Sequence, residues 1–524
     1  MRSVGTVLAL VILATVVATF ARRWRMPAPS LLVVAGLAVA LLPGSPQIEI
    51  SPEIIGLVVL PPLLYASAED MPWRELRAVW KPVGVLSIGL VLASAAAVAA
   101  VAAAVTPLSW QMAFVLGAVL ASTDPVAVTA LGRRLALPPR VQVLVQAESL
   151  FNDATSLVLV RVAAGIAVAS TAANWGAAGG QFLLLAGGGT VIGAAVAGVV
   201  ALIRRHTEEP VLETVIALVT PYAAYLLAEA AHTSGVTSCV VAGVVLGGRG
   251  DRLTNARIRL QLHAVYGTVV FLLESVVFSL IGLALPGEVR ALADGDRSWP
   301  LYALAVAATL IAVRLLWLAP LSAVVQRKGG ISRLNWRLPV VLTWAGTRGV
   351  MPLAAALSIP EVAKDGTALT DRSLVLVLTT SVVVVTLVVQ GFTLAPVVRA
   401  SGIALEPAHT EREEVEARSH LAHAGLARLE ELAELEAVPD IVLDRLRRGL
   451  TARLDDARDR LAEHNGATAA TESADLVYRQ LRRDLITVET AELQRLYDTH
   501  RVSDTTRRRL QRSLDLEEAR LTDV

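Results

Sequence analysis

The sequence predicts an all-α membrane protein of about 13 transmembrane helices. They are expected as two inverted six-helix repeats with crossed broken helices, followed by a cytoplasmic helical tail. Three observations predict this. The 524 residues are 54% hydrophobic with a mean hydropathy of +0.59, too apolar for a soluble chain of this length. Apolar runs of roughly 20 residues, the length that crosses hydrocarbon, recur as far as Arg399. Lys and Arg gather in alternate loops between those runs.

Composition adds further bounds. Aromatics make up only 4%, so Ala, Val, Leu and Gly supply the apolar surface, and such small residues let membrane helices pack closely. A formal net charge of +1 gives no electrostatic basis for a nucleic-acid partner. The single cysteine, Cys239, excludes an intrachain disulfide. The stretch from Met1 to Phe20 has the length of a secretory leader. Arg22, Arg23 and Arg25 follow it without a convincing small-residue cleavage site, so it reads as a retained first helix.

The apolar runs centre near residues 12, 36, 60, 93, 121, 155, 192, 222, 241, 275, 312, 348 and 386. The ninth, around Ser238 to Leu246, is short. Basic residues follow the odd runs: Arg22, Arg23 and Arg25; Arg74, Arg77 and Lys81; Arg133, Arg134 and Arg140; Arg204 and Arg205. The series continues with Arg249, Arg252, Arg257 and Arg259, then Arg327, Lys328, Arg333 and Arg337. The alternate loops hold only Arg290, Arg297, Lys364 and Arg372. The positive-inside rule then puts the N-terminus outside and the C-terminus in the cytoplasm of a cell whose inner membrane the chain spans.

Past Arg399 the composition becomes rich in Glu, Asp and Arg, with Leu426, Leu429 and Leu432 at helical spacing. Pro439-Asp440 reads as a helix start and Asn465-Gly466 as its end. The predicted domains are therefore a membrane part, residues 1–403, and a helical tail, residues 404–524. The tail reads either as a packing or dimer-forming appendage or as a regulatory domain.

Ionisable residues inside apolar spans are costly and mark ion routes or buried pairs. Asp124, Glu148, Asp153, Arg161, Glu229, Glu274, Arg314 and Arg348 lie near mid-span. Asp124 precedes Pro125, which lacks a backbone donor and disfavours helix at Asp124, so the fifth span is expected to break there. A break exposes carbonyls and puts half-helix dipole ends beside the carboxylate. In the next span Glu148, Ser149, Asn152 and Asp153 fall at i, i+1, i+4 and i+5, on one helix face. Two carboxylates, a hydroxyl and an amide pointing together suit a hard monovalent cation, and a proton suits the same carboxylate. A polar helix–helix contact is the plain structural alternative.

The twelfth span mirrors the fifth. Gly346-Thr347-Arg348-Gly349 and Pro352 surround a buried arginine, predicting a second break. Counting spans one to six and eight to thirteen as the halves, the two breaks occupy corresponding positions. Arg348 would offset the dipole ends at the crossing or cap carbonyls there. Glu148 needs a cationic partner, and Arg314 is the candidate; together they would form a scaffold ion pair. Glu229 and His232 read as an interfacial pair of positions, Glu274 as lining the ion route or pairing, and Arg161 as snorkelling to a surface.

At Ser122-Thr123-Asp124-Pro125, Glu148-Ser149-Leu150-Phe151-Asn152-Asp153 and Gly346-Thr347-Arg348-Gly349 the chain resembles the monovalent cation:proton antiporter-1 family, the sodium/proton exchangers, over about residues 5 to 400. Weaker matches are Leu60-Pro61-Pro62-Leu63-Leu64-Tyr65 and Ala228-Glu229 followed by His232 and Ser234-Gly235. The resemblance implies a homodimer in the lipid bilayer with a dimerisation domain and a mobile core. It implies sodium ligation by Asp153, Asp124, Ser149 and the Thr123 backbone, supported by Asn152, and a Glu148–Arg314 pair. Asn152, an Asp in electrogenic relatives, implies one-for-one exchange of cation and proton. Potassium-preferring members share these motifs, and lithium is a further possible cargo. No enzyme activity, cofactor or nucleic-acid partner is expected. An intramembrane aspartyl protease would carry Gly-x-Gly-Asp, absent at both Asp124 and Asp153. A channel lacks a pore signature here, and an ion sensor signalling through its tail would show no flux.

Overall fold

The computed structural model describes residues 2–24, 26–42, 55–71, 73–124, 139–169, 175–207, 209–248, 256–292, 297–328, 336–360, 371–402, 407–435, 439–464 and 470–499, with isolated positions elsewhere. Two compact units emerge, Met1–Ala404 and Leu405–Val524.

The first unit is helical. Its elements are α1 (Arg2–Trp24), α2 (Ala28–Ala40), α3 (Ile55–Glu69), α4 (Trp73–Val105), α5 (Trp110–Leu120), α6 (Pro139–Ala169) and α7 (Trp175–Arg204). There follow α8 (Pro210–Ala230), α9 (Gly235–Gly247), α10 (Ala256–Arg290), α11 (Trp299–Lys328), the short α12 (Arg337–Trp344) and α13 (Val350–Leu357), and α14 (Arg372–Ser401). Among the described residues seven helices are long and apolar enough to cross a membrane, in α4, α6, α7, α8, α10, α11 and α14; five shorter apolar helices accompany them. The predicted centres fall on helices except at 121 and 348, where the backbone leaves the helix. Pro125 lies outside the described residues.

Close packing rests on small residues. α2 lies against α10 so tightly that a Cβ on Gly36 would overlap the Ser279 carbonyl, and one on Gly282 would overlap the Val33 carbonyl. Proline inside α8 shows how the backbone stays satisfied without water. Pro221 has no N–H to give Ala217, and the Tyr266 hydroxyl of α10 donates to that carbonyl instead, at 2.6 Å. The neighbouring carbonyls of Pro221 and Ala224 accept from the Cys239 thiol at 3.1 Å and the Ser238 hydroxyl at 2.8 Å, both on α9. α14 runs through the interior, buried along most of its length.

The second unit contains α15 (Pro407–Leu435), α16 (Asp440–His464) and α17 (Ala470–Asp498). The helix start read at Asp440 is observed; Asn465 and Gly466 lie outside the described residues. α15 and α16 pack on each other, with Leu450 seated over Gly425. Arg482 pairs with Glu489 and Glu517 on the exposed surface.

A Gly282→Leu substitution is expected to wedge α2 from α10, an overpacking cost of about 1–3 kcal/mol or more. A lower thermal midpoint of the detergent-solubilised protein, read by the monodispersity of its chromatographic peak after heating, checks this.

Candidate functional site

The site forms where two helices stop inside the apolar bundle. α5 ends at Leu120 and residues 121–124 continue as irregular backbone. α12 ends at Trp344 and α13 begins at Val350. The two interruptions meet in an isolated antiparallel bridge between Asp124 and Thr347. Asp124 N donates to the Thr347 carbonyl at 2.8 Å, and the Thr347 hydroxyl returns a bond to the Asp124 carbonyl at 2.9 Å. These are the broken segments read from the sequence, and they face each other.

Every strand of this crossing is pinned by side chains. Arg348, 3% exposed, donates through Nη1 to the carbonyls of Ala121, at 2.8 Å, and Ser122. Those are orphan carbonyls at the C-terminal end of α5, where a cation also offsets the negative dipole end. Its backbone N–H is held by the Thr386 hydroxyl of α14 at 3.3 Å. From α6, Asn152 donates to Thr123 Oγ1 at 2.7 Å and accepts from Thr123 N at 3.4 Å. Ser149 donates to the Thr123 carbonyl. One turn on, Ser156 donates to the Ala118 carbonyl at 2.7 Å. The polar face of α6 predicted at 148, 149, 152 and 153 is therefore real, and Ser156 extends it. Ser156 had a signal, its i+4 spacing from Asn152, but a lone serine in an apolar helix is unremarkable.

Glu148 and Arg314 form the predicted pair. The guanidinium lies fork to fork on the carboxylate at 2.5 and 3.0 Å, and both side chains are buried. Arg314 also donates through Nε to the Leu342 carbonyl of α12 at 3.0 Å. It thus caps the second interrupted helix as Arg348 caps the first. Gly346 is required beneath it, since a Cβ there would overlap the guanidinium.

Asp124 and Asp153 sit at the middle of this arrangement, 9% and 8% exposed. They are close enough to interact electrostatically. Asp153 Oδ1 is buried and accepts no hydrogen bond. The Asp124 carboxylate lies directly over Gly349, where a Cβ would occupy the position of Oδ2. Thr386 has no signal in the sequence; Thr347 and Gly349 belong to the second break read there, but their contacts with Asp124 join segments too far apart to leave a local pattern. Glu274 on α10 interacts electrostatically with Asp124 and forms no ion pair among the described residues. Arg161 pairs with Glu229, and both side chains are partly exposed.

Interrupted helices crossing beside buried carboxylates, within a bundle of apolar helices, have the form of a secondary transporter. Residues 9–400 match the family described as "Sodium/hydrogen exchanger, transmembrane". An uncharacterized Na(+)/H(+) exchanger of Mycobacterium tuberculosis is 35% identical over 99% of this chain and 97% of its own. The low-affinity Na(+)/H(+) antiporter NhaS1 of a Synechocystis strain is 31% identical over 81% of this chain and 78% of its own. In architecture the chain is similar to the sodium proton antiporter MjNhaP1 of Methanocaldococcus jannaschii, with a TM-score of 0.62 over 77% of this chain and 99% of that one at 21% identity. The chain belongs to the sodium/hydrogen exchanger family, as its resemblance to monovalent cation:proton antiporters implies. It is a multi-pass membrane protein of a transporter family.

Two expectations follow. Removing one partner of the Glu148–Arg314 pair strands a buried charge and should cost about 3–5 kcal/mol. Arg314→Ala and Glu148→Ala are expected to lower the thermal midpoint strongly, and replacing both partners by apolar residues to cost less than either. Gly349→Ala is expected to displace the Asp124 carboxylate and remove most exchange activity at normal expression, checked by dye-reported antiport in everted vesicles.

Proposed function

We propose that this chain exchanges sodium for protons by alternating access at one site, in which Asp153 and Asp124 hold either ligand. Ser149 and the Thr123 backbone supply further oxygen ligands, and Asn152 braces Thr123. The observation that carries this reading is how charge is allocated at the crossing. Both nearby arginines spend their hydrogen bonds elsewhere, Arg348 on the α5 carbonyls and Arg314 on Glu148 and α12, and Arg348 reaches Asp153 through its field alone. Asp153 keeps a buried oxygen without a donor. A carboxylate so placed needs a counter-charge, and a proton or a hard cation supplies it.

Coupling follows from the same physics. Either ligand neutralises Asp153, whereas the empty charged site is costly to carry through apolar surroundings. The loaded site moves and the empty one does not, so cation flux and proton flux are tied. Asn152 is neutral and spends its hydrogen bonds on Thr123, which supports one-for-one exchange. The fold would comprise two inverted six-helix repeats, 13 spans in all, with α5 and the α12–α13 pair as corresponding broken elements. Loop charges favour an outer N-terminus and a cytoplasmic tail, residues 404–524. We place the protein as a homodimer in the cell membrane, serving sodium and pH homeostasis, with no enzymatic cofactor.

Asp153→Ala and Asp124→Ala are expected to abolish exchange while the protein still folds and assembles. Wild-type antiport in everted vesicles from Asp153→Ala would refute the site. Because proton and cation compete, the apparent KM for sodium should rise as pH falls, with the maximal rate reached only at higher sodium. A pH-independent KM would sink the shared-site mechanism. Proteoliposomes challenged in turn with sodium, potassium and lithium assign the cation, and a stronger response to potassium would reassign it.

A further inference from the structure

The ion pair of Arg161 and Glu229 takes no part in the site, yet Arg161 stands on the helix that carries Asp153. It lies eight residues further along α6, about 12 Å along the axis. Its guanidinium holds the Glu229 carboxylate through Nη2 and the Thr233 carbonyl through Nη1 at 3.3 Å. Glu229 ends α8 and Thr233 lies in the turn before α9, so α6 is fastened to the α8–α9 turn. α6 packs chiefly on α4 and α5 and more lightly on α7 and α9, while α8 is not among its main neighbours.

The turn itself is built to receive the arginine. Glu229 Oε1 also accepts from Gly235 N at 3.2 Å, so the carboxylate is aimed before Arg161 arrives. His232 has φ of 55°, a left-handed backbone that residues with a β-carbon rarely adopt. Thr233 is tied to the Ala228 carbonyl by its N–H at 2.9 Å and its hydroxyl at 3.0 Å. Ser234 N donates to the Leu185 carbonyl of α7 at 3.2 Å. A Cβ on Gly189 of α7 would approach the Ser234 carbonyl to 2.6 Å, so the α7 backbone presses against the turn. The turn is thereby rigid with α7, α8 and α9, while Arg161 belongs to the helix that braces the ion crossing.

The contrast with Glu148 and Arg314 is informative. That pair is buried, with side chains 1% and 3% exposed, as suits a permanent joint. Arg161 and Glu229 are 38% and 32% exposed, so the pair is weak enough to break and re-form. A carrier with one site needs such a reversible closure at each end, because access from both ends at once is a leak.

We propose that Arg161 and Glu229 form a clasp that closes the C-terminal end of α6 against the α8–α9 turn, and that it must part for the ion site to open toward that end. By the distribution of loop charge this is the outer end. The inference rests on the proposed alternating access to Asp153.

The test is a reversible cross-link. In a Cys239→Ala background, Arg161→Cys and Glu229→Cys are joined by a short bis-methanethiosulfonate linker and the protein is reconstituted. Exchange is expected to fall about tenfold or more and to return on reduction, while sodium binding, measured calorimetrically, persists. Failure of the pair to cross-link, or full exchange by the cross-linked protein, would overturn the clasp. So would loss of sodium binding together with exchange, which would make the pair part of the site. Asp153→Asn, assayed alongside, separates the two readings: if it still binds and exchanges sodium, the site assignment fails whatever the cross-link does. Independently, Glu229→Gln should speed labelling of a cysteine placed at Leu157 by a membrane-impermeant thiol reagent several-fold; an unchanged rate counts against the clasp.

Discussion

A backbone that leaves the helix inside an apolar bundle must find every hydrogen bond within the protein. That constraint organises this molecule. Two helices stop at mid-bundle, and their loose ends are tied by the Asp124–Thr347 bridge, by Arg348 on the α5 carbonyls, by Arg314 on the α12 carbonyl and by Ser149 and Asn152 on Thr123. Remove the interruptions and none of these side chains has a purpose. Keep the interruptions and each becomes obligatory.

The same economy fixes the charges. Two arginines cap two half-helices, and one of them is also matched by Glu148. At the crossing two aspartates lie close together, and one oxygen of Asp153 is buried without a hydrogen-bond donor. The arginines at the crossing serve as caps for interrupted helices, which is why neither makes a hydrogen-bonded ion pair with an aspartate there.

Close packing and polar fastening divide the labour. Glycine-mediated backbone contacts, such as those of α2 with α10 and α7 with α9, are permanent joints, because a backbone pressed on a backbone has no alternative rotamer. Exposed ion pairs are adjustable ones. The tail follows other rules: its helices carry surface ion pairs and a modest apolar contact between α15 and α16. The mycobacterial relative matches 99% of the chain, tail included, whereas the family match stops at residue 400.

The sequence alone determined the class of fold, the break points near Asp124 and Arg348, the polar face of α6 and the partnership of Glu148 with Arg314. These are legible because each has a local cause: hydropathy over a membrane's thickness, proline or glycine at a charged position, helical spacing, and a buried charge that demands its opposite. Only the tertiary structure decided that Thr347 bridges Asp124, that Gly349 makes room for its carboxylate, that Thr386 holds the Arg348 backbone and that Arg161 clasps Glu229. Among those contacts, Thr386 with Arg348 spans 38 residues and Thr347 with Asp124 spans 223. Their residue types are common in any helix, so nothing but the crossing of distant segments in three dimensions could select them.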